Sequence, residues 1–413
     1  MAHATQKPFQ EISPLKALDV AIVLVLVALS MVLNVQVFQN SHRKRAHMPS
    51  HSVRTAIGVI SGTSMDGIDM ALIKTDGHVV AETGPGRTVA YPADLRAELQ
   101  AFLADPTRAE RDPLTALDMR VTDAFTDAIR QFMHDEGIDR TVVDLIGLHG
   151  QTVYHRPERR FTRQLGLGQR MARALGIDVV DGFRLDDVAA GGHGAPLVPL
   201  YHAALAHGLP QPLMVLNLGG VSNITYLDGD VIIAFDTGPA SALIDDLVLR
   251  RFGKAFDEGG EIAMRGHVDE NILKALMDNP FFAALPPKSL DRNDFHTRAR
   301  IVERLADDDA VATLAAFTIE ANVAALAHVP SLPLRWLVGG GGRNNQSFMK
   351  GLETRLGVPV EAVEAVGWDG DLIEAQCFGF LGVRSILGLP LSLPTTTGVP
   401  TPLPGGVLRR AKP

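Results

Sequence analysis

From residue 55 onward, short apolar runs alternate with segments whose apolar positions recur at helical spacing. Residues 56–60 form an apolar run ending in Ser-Gly, a second run follows at 70–74, and Thr75-Asp76-Gly77 turns the chain. Two β runs joined by a tight Gly-bearing loop read as a hairpin. Leu114, Leu117, Val121, Phe125, Ile129 and Phe132 then recur in steps of three and four. Asp112-Pro113 precedes them, a cap with Pro in the first turn, so the spacing predicts a long helix. Residues 143–148 read as a buried strand running into His149-Gly150-Gln151. Further on, 213–218 reads as a strand that stops at Gly219-Gly220, and 223–227 and 231–235 flank Asp228-Gly229, a second hairpin signature. Residues 241–252, 311–327, 346–356 and 373–387 carry helical spacing, and the strand at 335–338 ends in Gly339-Gly340-Gly341-Gly342.

Two halves that each open with strand, loop, strand and continue into helices predict an α/β chain of two duplicated domains around a cleft. The expected division is 1–50 as an N-terminal extension, 51–209 as the first domain and 210–413 as the second, with the Pro-bearing stretch 209–212 as the hinge. No short-period repeat is visible, which excludes a solenoid.

Composition sharpens this picture. The 413 residues are 46% hydrophobic, enough for a sizeable core. A net charge of −8 gives no basic field, so nucleic acid is excluded as a partner on electrostatic grounds. The single cysteine, Cys377, forms no intrachain disulfide and fits a reduced compartment. Residues 20–33 are apolar except Ser30, the run stays mostly apolar to Phe38, and Arg43, Lys44 and Arg45 follow. That length suits a hydrocarbon core, and the basic cluster would leave the remainder on the cytoplasmic side. Two readings stand: a membrane anchor, or a stretch ahead of the working start at Met48. A cytoplasmic location follows from either.

Three loops at strand ends carry candidate chemistry. In Gly62-Thr63-Ser64-Met65-Asp66-Gly67-Ile68-Asp69 the glycines permit close backbone approach, and the hydroxyls can donate to phosphate oxygens. Asp66 and Asp69 would repel phosphate unless a divalent cation, Mg²⁺ with its waters, lies between. Asp236-Thr237-Gly238-Pro239, leaving a strand and entering a helix, can meet the same metal and phosphates from the other side. It also reads as a plain helix cap, and the two are compatible because helix N-termini attract phosphate. Gly339, Gly340, Gly341 and Gly342 offer bare backbone to an adenine–ribose, or simply a strand-to-helix turn. Walker A and Rossmann glycine spacings are absent. ATP and Mg²⁺ are the expected cofactors, with Asp66 and Asp236 as metal ligands.

These loops, with Gly147-Leu148-His149-Gly150-Gln151-Thr152-Val153-Tyr154-His155-Arg156-Pro157, Gly191-Gly192-His193-Gly194-Ala195-Pro196-Leu197-Val198-Pro199, Asn217-Leu218-Gly219-Gly220 and Pro287-Lys288-Ser289, resemble the anhydro-N-acetylmuramic acid kinase family. The likeness runs in order from about Thr55 to about Gly398. It implies the actin-like (hexokinase-type) ATPase fold and a reaction of peptidoglycan recycling. In that reaction 1,6-anhydro-N-acetylmuramic acid, ATP and water give N-acetylmuramic acid 6-phosphate and ADP. His149, Gln151 and His155, with His193, read as the lining of a sugar pocket, and His149 and Gln151 read equally as satisfied turn residues; the resemblance also implies a homodimer, although no interface pattern is visible.

The chain departs from the family at two places. The family's base comes from an Asp-Phe-Arg sequence after a Val-Val strand, whereas this chain reads Val179-Val180-Asp181-Gly182-Phe183-Arg184. Asp181 is one residue early, which on a continuing strand reverses the side chain's face. Gly182 gives the turn freedom to re-aim it. Asp181 is therefore the expected base, with Asp187 the further carboxylate. His193 stands where the family has Gln. Two alternatives follow from these departures: a kinase for a different sugar, or a nucleotide-dependent sugar sensor without turnover.

Overall fold

The computed structural model of the chain describes residues 52–62, 65, 67–291 and 294–412. The apolar stretch at 20–38, and Thr63, Ser64 and Asp66 of the first loop, lie outside them. Two mixed sheets organise the described residues. The first contains β1 (Arg54–Ser61), β2 (Ile68–Thr75), β3 (Val80–Val89), β4 (Leu145–Arg156), β5 (Phe161–Leu165), β6 (Asp178–Asp181) and β12 (Val407–Arg409). The second contains β7 (Leu213–Leu218), β8 (Val221–Asp228), β9 (Val231–Pro239), β10 (Arg335–Gly339) and β11 (Val360–Ala362).

The strand orders are β12-β6-β4-β1-β2-β3 and β11-β10-β7-β8-β9, with β5 pairing β4 outside the first path. Each sheet opens with three antiparallel strands and adds two more that run parallel to its first. With β5 and β12 left aside, both orders read 3-2-1-4-5 when numbered within each half. This repeated order of an antiparallel meander flanked by parallel strands is the duplicated α/β architecture of actin-like ATPases.

The hydrophobic pattern explains the layers. Ala56, Ile57, Val59 and Ile60 of β1 are all buried, as expected of a strand covered on both faces. Ile57 and Val59 pack with Val121, Phe125, Ile129 and Phe132 of the helix Thr115–Asp135. Ala56 and Ile60 face the opposite side and pack with Phe378 and Phe380 of the helix Ile373–Ile386. In β7 the same alternation sends Met214, Leu216 and Leu218 into the core beneath the helices Ser241–Phe252 and Asp307–Ala324, and Leu213 and Val215 into the core beside Ile373–Ile386. That last core is therefore shared by both sheets.

The last helix and last strand return to the first sheet, β12 pairing antiparallel with β6. The helix lies directly on the backbone of β1 and β4: a Cβ added to Gly58 would sit 1.8 Å from the Ala375 carbonyl oxygen, and one on Gly147 1.9 Å from that of Phe378. Only hydrogen fits at these crossings, and the approach carries Glu374, at the helix's first turn, toward the carboxyl end of β1.

Local details differ from expectation in two places. Asp112 does not cap the long helix. Its Oδ1 accepts the Leu114 N–H at 2.8 Å, a local turn bond, and the helix starts at Thr115 after Leu114 takes a left-handed conformation (φ 55°). The helix expected at 311–327 begins at Asp307, where three aspartates meet the positive end of its dipole. Its extension, Asp307–His328, is long and apolar enough to cross a membrane, yet it is mostly buried in the core.

Candidate active site

The carboxyl ends of parallel strands gather loops and leave backbone groups unpaired, and ligands of open α/β sheets bind there. In the first sheet those ends are Ser61, the β4 segment at Gly150-Gln151, and Asp181; in the second they are Leu218 and Gly339.

Between β1 and β2 the described part of the first loop is held from behind. The Gly62 carbonyl accepts from Met65 N–H at 3.1 Å and from Gln151 Nε2 at 3.1 Å, while Gln151 Oε1 accepts from Tyr91 Oη at 3.1 Å. Gln151 is 1% exposed. Its amide is spent bracing the loop, so the expected contact with sugar is replaced by a structural role. Asp69 accepts from Thr88 Oγ1 at 2.5 Å, and Arg96 Nε donates to the Met65 carbonyl at 3.1 Å.

At the second loop, Asp236 has one carboxylate oxygen accepting from Leu290 N–H at 2.8 Å. Burial pushes its pKa up to about 7, the backbone bond opposing only in part, and no basic side chain pairs with it among the described residues. A carboxylate so placed suits a hard, oxygen-seeking cation. The Thr237 hydroxyl does not join it. It points inward, 2.6 Å from Asn322 Oδ1 and 2.8 Å from Ser222 Oγ, so the reading of this hydroxyl as a phosphate donor is corrected. Gly238 packs against Ala321, leaving no room for a Cβ.

The glycine run behaves differently along its length. Gly339 ends β10, and Gly340 (φ 73°) passes beside Leu218 and Asn217, where a Cβ would meet Asn217 Oδ1 at 2.4 Å. Gly341 and Gly342 line a cavity of about 320 Å³ with Ser241, Ile244, Phe256, Asn344 and Phe348. Two aromatic rings, an amide and bare backbone suit a flat nitrogenous base and its ribose. Periodicity marks Phe348 only as core, and nothing in the sequence singles out Phe256 or Asn344.

Farther along β4's loop-bearing end, His149 is buried, its ring on Phe378 with centroids 4.4 Å apart. Nδ1 lies 2.9 Å from the Gly150 carbonyl and must carry the proton there, so Nε2 accepts from Arg184 Nε at 2.9 Å. Burial, reinforced by the Arg184 charge, holds its pKa well below the usual histidine range. His149 is thus neutral and fully bonded, and it borders a second cavity of about 390 Å³ with Asp118, Gln164, Asp181, Gly182 and Arg409.

Asp181 ends β6 on the same face as Val179, toward the helix Gly168–Leu175. Both oxygens lie 3.1 Å from Arg409 Nε, and the Gly168 N–H also bonds it. Burial raises its pKa, with Arg409 pulling the other way. Gly182 (φ 71°) turns the chain immediately after it. Asp187 is different: it is 2% exposed, Oδ1 accepts from Gly194 N–H at 2.6 Å, and Oδ2 accepts from Thr397 Oγ1 at 2.6 Å. With both oxygens bonded and no access for water, it cannot serve as a base, and its expected catalytic role is corrected to a structural one. His193 keeps a half-buried side chain, while its N–H donates to the Thr397 carbonyl at 2.7 Å and its carbonyl accepts from His155 Nε2 at 2.9 Å.

Arg409 escaped the sequence reading, Arg184 entered it only as part of the Asp-Phe-Arg match, and Glu374 reads there as a packing residue at the start of a helix. Glu374 is open to solvent on one side yet surrounded deeply enough that burial raises its pKa, with Arg184 opposing and Asp69 reinforcing the shift. Its position could not be read from helical periodicity, which marks it only as a first-turn acid.

A repeated 3-2-1-4-5 sheet order, with loops gathered at the carboxyl ends of its parallel strands, a buried carboxylate on β9 and a cavity beside a glycine run, is the arrangement of the actin-like ATPase class. The chain belongs to the anhydro-N-acetylmuramic acid kinase family, whose model matches residues 54–409. The anhydro-N-acetylmuramic acid kinase of Rhodospirillum rubrum is 50% identical over 353 residues, covering 85% of this chain and 93% of that protein. That of Acidiphilium cryptum is 50% identical over 363 residues, covering 87% and 99%. Among solved structures, (R)-2-hydroxyglutaryl-CoA dehydratase component A from Acidaminococcus fermentans has a TM-score of 0.46 at 9% identity, covering 81% of this chain and 99% of that one. A likeness so loose says nothing of the reaction.

Proposed function

We infer that the protein is an ATP-dependent kinase that opens 1,6-anhydro-N-acetylmuramic acid with water and phosphorylates the released O6. The products are N-acetylmuramic acid 6-phosphate and ADP. The observation that carries this reading is 50% identity to a kinase of that name over 85% of the chain. ATP lies with its base against Gly341, Gly342, Phe256 and Phe348 and its phosphates toward Gly62–Asp69. Asp236, with Asp66, holds Mg²⁺; when bound, the ion neutralises charge that develops on the transferred phosphoryl group.

The anhydro bridge dictates where a base must stand. Water attacks the anomeric carbon from the face opposite the departing O6, and O6 is the atom that meets the γ-phosphate. The base therefore belongs on the side of the sugar away from the phosphate loop. Asp181, at the end of β6 and two strands from β1, stands about 10 Å across the sheet from that loop. Arg409 and the Gly168 N–H favour its ionised form, the form a base needs. Glu374, whose charge is felt by Asp69, stands on the phosphate side, where it can orient O6. His193 contacts the sugar through its imidazole, and neutral His149 walls the pocket.

ATP chemistry places the reaction on the cytoplasmic side, and the family match begins at residue 54, beyond the apolar stretch. The decisive experiment incubates the protein with ATP, Mg²⁺ and the anhydro sugar and looks for a 6-phosphorylated reducing sugar. Asp181→Asn should lose at least ~10²-fold in kcat, the scale of general-base catalysis, whereas Asp187→Asn should keep most of it. Binding of both ligands without product would replace the kinase by a sensor.

A further inference from the structure

The segment 393–398 bonds both β9 of the second sheet and the chain that follows β6 of the first. Alongside β9, the Thr395 carbonyl accepts from Ala234 N–H at 3.0 Å and Thr395 Oγ1 donates to the Ile232 carbonyl at 2.5 Å. Two residues on, the Thr397 carbonyl accepts from His193 N–H at 2.7 Å, and Thr397 Oγ1 donates to Asp187 Oδ2 at 2.6 Å. Thr397 is fully buried. Asp187 passes the constraint on, because its other oxygen holds Gly194 N–H at 2.6 Å.

The loop so gripped is also held from its far side. Arg184 Nη1 donates to the Gly194 carbonyl at 2.5 Å, and His155 Nε2 donates to the His193 carbonyl at 2.9 Å. His155 is kept neutral by burial and by the Arg184 charge, its pKa lowered to about 4, so Nε2 carries the proton and Nδ1 accepts from Thr162 Oγ1 at 2.9 Å. Every backbone donor and acceptor of His193 and Gly194 is thereby bonded. The His193 imidazole has no such bond among the described residues and is left to face a ligand.

We propose that Thr397 is a positioning residue for phosphoryl transfer: through Asp187 it sets the His193 loop of the first sheet against β9 of the second, the strand that carries Asp236. The segment is a strap between the sugar side and the metal side, and its hydroxyl–carboxylate bond is the buckle. The proposal rests on the kinase reading for its kinetic consequence but not for its structural one.

The test compares wild type, Thr397→Ser and Thr397→Val with Mg²⁺, ATP and 1,6-anhydro-N-acetylmuramic acid, and follows amide hydrogen exchange of residues 191–194. A hydrogen bond to a buried carboxylate is worth enough that its loss should raise the sugar KM about tenfold. Thr397→Val should do so with the ATP KM within about twofold of wild type, and exchange at His193 and Gly194 should rise about tenfold. Thr397→Ser, which keeps the hydroxyl, should match wild type on all three readouts. Serine as impaired as valine, or unchanged exchange in the valine variant, would overturn the strap. Should valine prevent folding, Asp187→Ala, which removes both bonds, is measured in its place; exchange and sugar KM both like wild type would equally overturn it. A wild-type protein that turns over no sugar overturns the kinase reading alone, since exchange still decides the strap.

Discussion

Two aspartates six residues apart show how much a side chain's partners decide. Asp181 and Asp187 both follow the Val-Val strand and read alike as candidate bases. One ends β6 beside a cavity, paired with Arg409; the other has both oxygens bonded in the interior. Sequence distinguishes an acid from an amide but not a reachable carboxylate from a spent one. The same holds for Gln151, which braces Gly62, and for Thr237, which points inward. Asp236 yields a pH prediction. Its folded pKa is raised from 3.8 to about 7, so the native state binds the extra proton between those values and stability falls as pH rises through them. Metal-free wild type should therefore lose stability relative to Asp236→Asn between pH 5 and pH 8, on the order of 1–2 kcal/mol once solvent screening is allowed for. Thermal melts at both pH values, with and without Mg²⁺, check this: Mg²⁺ at pH 8 should restore wild type and leave the Asn variant unmoved.

At the scale of elements, periodicity located the long helix, the two hairpins, and the helices Ser241–Phe252 and Gln346–Leu356 with their bounds. It did not announce β3, whose Gly84-Pro85-Gly86 looks like a turn but continues along β2 across a register shift. A strand at a sheet edge has one free side, so Pro costs it no ladder bond. Nor did it show that helix Ile373–Ile386 lies on β1 and β4, since contacts between segments so far apart in the chain leave no local spacing. That contact predicts a severe effect from a small change. Gly58→Ala puts a methyl group 1.8 Å from the Ala375 carbonyl, so the helix must shift and Glu374 with it. Unfolding in urea should show a loss of about 3 kcal/mol or more, and kcat should fall alongside. Phe125→Ala, in the core on the other face of the sheet, should cost about 3–5 kcal/mol while leaving the KM values of the folded fraction unchanged.

At the scale of the molecule, the two sheets share one strand order and one core, and the proposed sugar and ATP sites divide between them. That division predicts separable kinetics. Phe256→Ala removes a wall of the base-shaped cavity and should raise the ATP KM about tenfold, an aromatic stacking loss of ~1 kcal/mol or more, with the sugar KM unchanged in steady-state assays. ADP at about 100 times its Kd should stabilise wild type by roughly 2.7 kcal/mol, and visibly less at the same concentration for the Phe256 variant, read as a shift in Tm. By itself the sequence determined the α/β class, the duplicated strand–hairpin–helix plan and the family. These are written in local spacing, in turn residues and in contiguous motifs. Tertiary structure alone decided which carboxylate borders a cavity, which histidines are locked neutral, and that the segment 395–397 bonds both β9 and the loop around His193. Those outcomes depend on which atoms meet across distant segments, and a side chain's access and protonation are set by those neighbours, not by its place in the chain.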